Sequence, residues 1–561
     1  MEKIQKQKIN IIPLGGLGEV GRNMTLLEYQ DQILVIDMGL SFPEETMHGI
    51  DYVIPNITYL KEKKKNIVGA VFTHGHYDHI GAVPHIIDKV WRRNLPIYAS
   101  PLTKGIIMKR QKDFPNMPPL ILNDVKNGSK IKIGVFQVEF FKQNHSIPDN
   151  MGLIITTPIG RIIHTSDFKF DLHPVNDEPT DFNKLKRIGS SPTLLLMSDS
   201  TGAEQEGHSF SEEEVFKNLE IIFEKSKGKI ITATFSSLLN RIQQVITLSE
   251  KYGRKVLVEG YSMKANTEIS KYLGYLKSKK GTLVKKGGIR NIPDNKLTIV
   301  CTGAQGETSA ALMRIVNKEN KSIKLRKNDV VILSSSIVPG NERAVQFLKD
   351  NILRQGADVF HYKMMDIHAG GHGLREELKT ILEIIKPRFF MPIHGQHSML
   401  ISHSKLAQSI GIPEKNIAVA ENGQVLELTN SRFFISDKSV PSEPVMVDGL
   451  GVGDVGEVVL KDRQILAEDG MFVIVVIIDR KTGRVKGSPD IISRGFVYLR
   501  ESKNLLKETR GKVIDIINKT TGSGNAVNLT NVKEEIRKKI GLFFLTKTQR
   551  KPMILPVIIE V

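Results

Sequence analysis

Thr73-His74-Gly75-His76-Tyr77-Asp78-His79 comes directly after an apolar run, residues 68–72, that reads as a strand. Three imidazoles and a carboxylate this close together on a strand-end loop cannot all be satisfied core groups. They are donors that suit Zn2+ or Mn2+. His74 and His76 can point to one ion, while Asp78 and His79, further round the turn, reach a second. Surface histidines in a polar loop are the bland alternative, and the remaining pieces of the chain argue against it.

A two-ion centre needs further ligands from elsewhere. His145 in FFKQNHSIPDN, Asp167 in HTSDFKFD and His394 in FFMPIH each stand just past a run that reads as a strand. At such positions a sheet presents side chains along one edge. Each residue alone would more often be a polar group satisfied by its neighbours. Beside the histidine-rich loop, all three become candidate ligands.

The chain around these residues changes texture twice. Its first third reads as short strands, at 8–13, 24–28, 32–37, 66–73, 152–157 and 161–164, with helical spacing at 81–92. From Ser209 onward, apolar strands alternate with helices: strands at 229–234, 255–259, 297–301, 329–334 and 357–362, helices at 239–252 and 342–353. That alternation predicts a separate α/β unit with a mostly parallel sheet. A strand at 388–392 and a helix at 398–410 read as a return to the first unit. After the glycine-rich VDGLGVGDVGE, starting at Val447, come a strand at 471–478, helices at 504–518 and 531–540, and a last strand at 553–561. The expected segments are 1–208, 209–385, 386–450 and 451–561.

Bulk properties bound the function. At 561 residues the chain exceeds a single core. Lys and Arg number 79 against 61 Asp and Glu, a net charge of +18, which suits a polyanionic partner such as a nucleic acid. The single cysteine, Cys301, excludes an intrachain disulfide and a cysteine-based zinc cluster and fits a reducing cytosol. The first residues lack the apolar core of a signal peptide, and no apolar stretch approaches the roughly 20 residues that span a bilayer. A soluble, cytoplasmic protein without membrane contact is expected.

With its spacing, HGHYDH, together with His145, Asp167 and His394, resembles the metallo-β-lactamase superfamily. The resemblance implies His74, His76 and His145 on one ion, Asp78, His79 and His394 on the other, Asp167 bridging, and Asp37 in DMGLSF orienting the site. More than two hundred residues between Asp167 and His394 hold the α/β unit, as in the β-CASP group. Asp199 in LLMSDST, His372 in HAGGHG and His394 match that group's further motifs. PLGGLGEVGRN, CTGAQGE, SSSIVPGNE and TKTQRKPMILPVIIEV are similar to the ribonuclease J family specifically, over essentially the whole chain. The implied fold is an αββα metallo-β-lactamase sandwich with an inserted β-CASP α/β domain and a small C-terminal α/β domain.

The implied chemistry is hydrolysis of RNA phosphodiesters, 5′-to-3′ exonucleolytic, endonucleolytic or both, in RNA maturation and decay. It uses two divalent ions, Zn2+ first and Mn2+ as the alternative, which activate water and neutralise developing charge. Asp78 belongs to the catalytic set, and His372 with Asp199 donates or orients the proton for the leaving ribose oxygen. Ser200, Ser334, Ser335, Ser336, Asn341 and Glu342, with His368, Gly370, Gly371 and His372, are expected to hold RNA phosphates and a 5′-monophosphate end. An ordinary β-α turn with a helix cap is the other reading of the serine loop. Self-association to a dimer or tetramer, or pairing with a homologous ribonuclease J subunit, is implied as well.

The chain departs from the family pattern at three places, as a divergent paralogue would. Gly370 stands where a serine is usual, Gln396-His397-Ser398 replace Glu-Tyr-Arg, and Gly202 replaces an asparagine. Losing one donor to a phosphate costs roughly 1.5–3 kcal/mol if nothing replaces it. A blunted 5′-phosphate preference is therefore expected, with the metal ligands complete. A weakly active or inactive RNA-binding subunit and a DNA nuclease are the competing readings. A small-molecule hydrolase explains neither the insert nor the charge.

Overall fold

As a computed structural model, the protein is described over residues 7–44, 46–91, 95–114, 117, 119–338, 340–449, 451–480, 482–497, 502–521 and 528–561. Of the residues named or quoted above, 1–6, Arg92, Pro339 and Leu450 lie outside these. The chain forms two compact units: residues 7–42 with 53–445, and residues 43–52 with 446–561.

In the first unit, an eight-stranded and a six-stranded sheet face each other. Strand periodicity of two makes this possible, because successive side chains point to opposite faces. Phe140, Leu195 and Phe389 enter the core between the sheets with Ile11, Leu34 and Val71 of the larger sheet. Their chain neighbours Phe141, Leu196 and Phe390 point the other way, against the helices Phe182–Gly189, Arg375–Ile385 and His397–Ser409. The smaller sheet runs in the order 389–393, 195–199, 160–164, 151–157, 136–142, 130–133. Phe389–Ile393 joins its edge in parallel register, Leu195 opposite Phe389, so the chain returns from the insert directly beside Leu195–Asp199.

The insert is the α/β unit expected. Its six strands are all parallel, in the order 283–284, 255–259, 297–301, 230–233, 330–333, 358–361. Ile230–Ala233, Leu297–Cys301 and Val330–Leu333 are buried throughout, as strands covered on both faces should be. The first helix after Ser209 runs Glu212–Lys225. Ser211 caps it by accepting the Glu213 N–H at 3.2 Å, and three glutamates fill its first turn. Ser209 instead donates its N–H to Glu377 Oε1 at 2.9 Å.

The second unit has a three-stranded sheet with Met471–Ile478 in the middle, parallel to Met553–Glu560 and antiparallel to Asp490–Arg494. Phe472, Ile474, Val476 and Ile478 pack under the helices Lys503–Thr521 and Leu529–Thr548. The last helix is much longer than the span 531–540, because Phe543 and Phe544 continue the buried stripe of Val532, Ile536 and Ile540. Ile477, Ile492, Leu555, Val557 and Ile559, on the sheet's other face, are exposed. No helix among the described residues is long and apolar enough to cross a membrane.

Candidate metal centre

The strand Ile67–Val71 delivers Thr73 and His74 into the interior, and the short helix Tyr77–Ile80 sets Asp78 and His79 one step further round. Gly39 makes room for this turn. A Cβ there would lie 1.6 Å from the Asp78 carbonyl oxygen, and the Gly39 N–H donates to Asn23 O at 2.9 Å. His145, Asp167 and His394 all emerge just past strands of the smaller sheet, as their sequence context suggested.

Three groups of donors result, one of them Asp167, Asp199, His372 and His394, and the other two made of the expected ligands. His74, His76 and His145 form one; Asp78, His79, Asp167 and His394 form the other. His76 Nδ1 lies 3.1 Å from His74 Nε2 and 3.1 Å from His145 Nε2. Asp167 Oδ2 reaches both groups, at 3.2 Å from His79 Nε2, 3.6 Å from His394 Nε2, 3.7 Å from His74 Nε2 and 3.8 Å from His145 Nε2.

An outer layer fixes the ring orientations. His79 Nδ1 donates to Asp37 Oδ2 at 2.7 Å, His145 Nδ1 to Gly371 O at 2.6 Å and His394 Nδ1 to Asn23 Oδ1 at 2.8 Å. Each bond leaves the Nε2 lone pair directed inward, the usual design around a metal-binding imidazole. Asp37 also accepts from the Thr73 N–H and hydroxyl, each at 2.8 Å. Asp37, Ser166 and His394 have φ of 60°, 59° and 52°, left-handed conformations that non-glycine residues adopt where surrounding bonds hold them.

The electrostatics fit a cation. Burial, then the neighbouring His79, push the His74 imidazole well below its usual range, and burial takes His76 down to about 4. His145 is likewise driven down by burial and by His76. These rings are neutral ligands at neutral pH. At His79, burial opposes charge, but Asp167, Asp78 and Asp37 outweigh it and raise the imidazole well above its usual range. That corner of the site therefore favours positive charge. The buried His394 Nε2 has no hydrogen-bond partner and faces Asp167 and, at 3.9 Å, Asp78. A polar atom orphaned in this way is costly unless a ligand satisfies it. The donor set binds divalent metal.

Beside the metal ligands, His372 Nδ1 donates to Asp199 Oδ2 at 2.7 Å, and the His372 ring stacks on His394 with centroids 5.5 Å apart. Burial works against the charged ring, but the Asp199 carboxylate outweighs it and raises His372 to about 9. Asp199 is held below the usual carboxylate range, because His372 outweighs its burial.

The expected phosphate-binding residues divide. Ser336, Glu342 and Gly370 are exposed, and Asn341, Gly371 and His372 are half-buried. Ser200 and Ser334 are fully buried. Ser200 Oγ bonds His403 Nδ1 at 3.0 Å, and Ser334 Oγ donates to Ile367 O at 2.7 Å while accepting from Arg241. Ser335 Oγ accepts from Gln305 Nε2 at 2.9 Å. The hydroxyls of Ser200 and Ser334 are thus engaged by neighbouring protein groups. His368 is half-buried, and burial with the nearby Arg241 pushes it down to about 3.

One of the departures has a structural explanation. A Cβ on Gly202 would lie 2.1 Å from the Gly373 carbonyl oxygen, so glycine lets this turn bridge to Leu374 and brace the His372 loop. Gly370 meets nothing within 4 Å. Nothing in the structure explains Gln396-His397-Ser398, which are exposed.

Three participants went unassigned in the sequence. Asn23 sits in the quoted PLGGLGEVGRN, a clue to importance but not to role. Ser166 Oγ bonds His74 Nδ1 at 3.3 Å and Asn150 Oδ1 at 2.7 Å. Asn150 Nδ2 donates to Asp167 O at 2.6 Å.

Comparison with known proteins places the chain. The model of the ribonuclease J β-CASP domain matches residues 227–352 and that of the ribonuclease J C-terminal domain residues 458–561. A β-lactamase superfamily domain matches residues 35–183, and a Zn-dependent metallo-hydrolase RNA specificity domain residues 362–419. Ribonuclease J 1 of Streptococcus pyogenes is 39% identical over 556 residues, 99% of this chain and 98% of that one. Ribonuclease J2 of Bacillus subtilis is 36% identical over 561 residues, 100% of both. A solved structure from Enterococcus faecalis V583, of unknown function, matches 75% of this chain and 100% of its own at a TM-score of 0.56 and 17% identity, a likeness of fold alone. The metallo-β-lactamase sandwich, its β-CASP insert and its C-terminal domain are thus matched along a full-length kinship, and the chain belongs to the ribonuclease J family.

Proposed function

We propose that the chain is a metal-dependent ribonuclease that hydrolyses RNA phosphodiester bonds in the cytoplasm, from 5′-monophosphorylated ends, internally, or both. The observation that carries this reading is the convergence of His74, His76 and His145 with Asp78, His79 and His394 about Asp167. Two divalent ions, Zn2+ first and Mn2+ as the alternative, would be held there and would supply charge neutralisation and water activation at a phosphodiester.

The protein's own groups do the rest. Asp37 and Asn23 hold His79 and His394 in register. Asp199 occupies Nδ1 of His372, so the proton on Nε2 is the one free to reach a leaving ribose oxygen. Burial works against the charged ring, and the Asp199 carboxylate favours it, so Asp199 both orients His372 and supports its protonated form. The segments 1–208 and 386–450 would form the catalytic sandwich, 209–385 the RNA clamp and 451–561 the assembly domain.

The test uses purified full-length protein, a 5′-labelled monophosphorylated RNA and added Mn2+ or Zn2+. Release of labelled mononucleotide supports the exonuclease, and internal cuts support the endonuclease with a weakened 5′-end pocket. RNA binding without cleavage overturns the enzymatic reading.

Gly370 gives a sharper prediction. The space around it accepts a side chain, so Gly370→Ser restores one hydroxyl donor beside the proposed phosphate pocket. KM for 5′-monophosphorylated RNA should fall by about tenfold relative to 5′-hydroxyl RNA, the worth of about 1.5 kcal/mol. An unchanged ratio would remove this loop from 5′-end recognition.

Self-association is part of the same reading. The exposed face of Ile477, Ile492, Leu555, Val557 and Ile559 is a sheet surface that a second copy would cover. Val557→Asp together with Ile477→Asp should convert a sedimenting dimer or tetramer to monomer. A persistent oligomer would assign assembly to another surface.

A further inference from the structure

A second cavity opens at the carboxyl edge of the insert's parallel sheet. The strands Val330–Leu333 and Asp358–His361 end side by side there, Leu333 opposite His361, and the helix Glu342–Arg354 lies in the connection between them. The cavity has a volume of about 150 Å3, and no residue of the metal centre lines it. Leu333, Ile337 and Val345 make its apolar floor. In open α/β sheets, the crevice outside the strands' carboxyl ends is where ligands bind.

Its rim carries cationic and aromatic groups together with Ser335, Gln346 and Glu342, whose Oε2 accepts the Gly340 N–H at 2.9 Å. Lys349, Lys363, His361 and Tyr362 all line it. Neither lysine makes an ion pair or hydrogen bond among the described residues; Lys363 Nζ lies 6.0 Å from the Tyr362 ring centroid. Burial and then the charges of these two lysines push the His361 imidazole down, which places the three groups in one field. Two unpaired ammonium groups beside an apolar floor call for an anion with a flat apolar body. The volume is below the roughly 300 Å3 of a drug-sized pocket and suits a single ring system whose charged tail stays at the rim. Inorganic phosphate would leave the floor uncovered.

We propose that this crevice binds a nucleoside 5′-monophosphate unit, with its base over Leu333, Ile337 and Val345 beside Tyr362 and its phosphate toward Lys349 and Lys363. The unit is either a free mononucleotide or one nucleotide of an RNA chain. The site is separate from the metal ligands, although Ser335 and Glu342 of the expected phosphate loop also line it, and it stands whether or not the metal centre cuts RNA.

The test uses full-length Asp78→Ala, His79→Ala protein in chelator, so that binding is read apart from the metal centre. Calorimetry measures AMP, inorganic phosphate and a 5′-hydroxyl oligoribonucleotide against this parent. The same ligands are then titrated into the parent carrying Lys349→Glu with Lys363→Glu, and into the parent carrying Tyr362→Ala. These partly or fully exposed positions leave the fold intact, checked by circular dichroism. AMP binding about tenfold weaker in both variants assigns a free mononucleotide. The same loss confined to the oligonucleotide assigns a unit of an RNA chain. Unchanged binding in both arms overturns the proposal, as does phosphate that binds as well as AMP. At saturating RNA, kcat for cleavage in the otherwise wild-type protein should be kept by either variant, whichever unit the crevice binds. Cleavage therefore reports on the ribonuclease reading and calorimetry on this one.

Discussion

Asp167→Ala is expected to lower RNA cleavage by about 10^3-fold or more and to reduce the metal bound per chain. Among the described residues, its Oδ2 is the one carboxylate oxygen within 3.8 Å of His74, His79, His145 and His394 together. Removing it takes negative charge from between both donor groups and leaves four imidazoles facing one another. Bound metals are worth several kcal/mol of charge stabilisation, and each 1.36 kcal/mol is tenfold in rate. Single-turnover cleavage and elemental analysis of bound metal check this. Asp167→Asn keeps the shape and loses the charge, so a similar loss there assigns the effect to charge. Full activity with undiminished metal would remove Asp167 from the centre.

Arg241→Ala is expected to destabilise the insert by about 3–5 kcal/mol, the cost of stranding a buried charge. Arg241 is completely buried, its NH2 2.8 Å from Glu212 Oε2 and its Nε donating to Gln244 Oε1 at 2.7 Å. Its NH1 donates to Ser334 Oγ and to Ile367 O, next to His368. Lys169, two residues beyond Asp167, lies 3.7 Å from the same Glu212. Burial works against the Glu212 carboxylate, but Arg241 and Lys169 outweigh it and lower it to about 2. Its contribution to stability is therefore fully present above its ordinary value of 4.5 and is lost as pH falls toward 2. Urea unfolding followed by circular dichroism should show an early transition in the variant. In Arg241→Met with Glu212→Leu the loss should be smaller, because no carboxylate is left unpaired. Equal losses would mean that Arg241 acts by packing alone.

What was legible in the sequence followed from local pattern. HGHYDH announces a metal loop by composition, and His145, Asp167 and His394 each declare themselves by following an apolar run. The insert's strands are continuous apolar runs such as LTIVC, buried on both faces, and their alternation with helices is visible without a fold. What was not legible depends on distant partners. Asn23 looks like a turn residue until His394 arrives to bond it. Arg241 and Glu212 lie on two different helices, and their pairing appears only when those helices pack together. Ser200 and Ser334 look like free hydroxyls, although His403 and Arg241 have claimed them. The helix Glu457–Glu468 was hidden because it buries none of its residues and so shows no apolar stripe. Pro101–Gln111 was missed as well. Its Gly105 lowers helical propensity, but a Cβ there would lie 2.7 Å from Ile269, so glycine permits the close packing.

Asn23 and His394 are 371 positions apart when they meet. During translation, His74 through Asp167 leave the ribosome long before the strand Phe389–Ile393 can pair beside Leu195–Asp199 and bring His394 with it. A nascent chain paused anywhere in the insert therefore holds an incomplete set of ligands. The order of the segments thus makes the strand Phe389–Ile393 the keystone of the centre, because the ligand set closes only once that strand has been made.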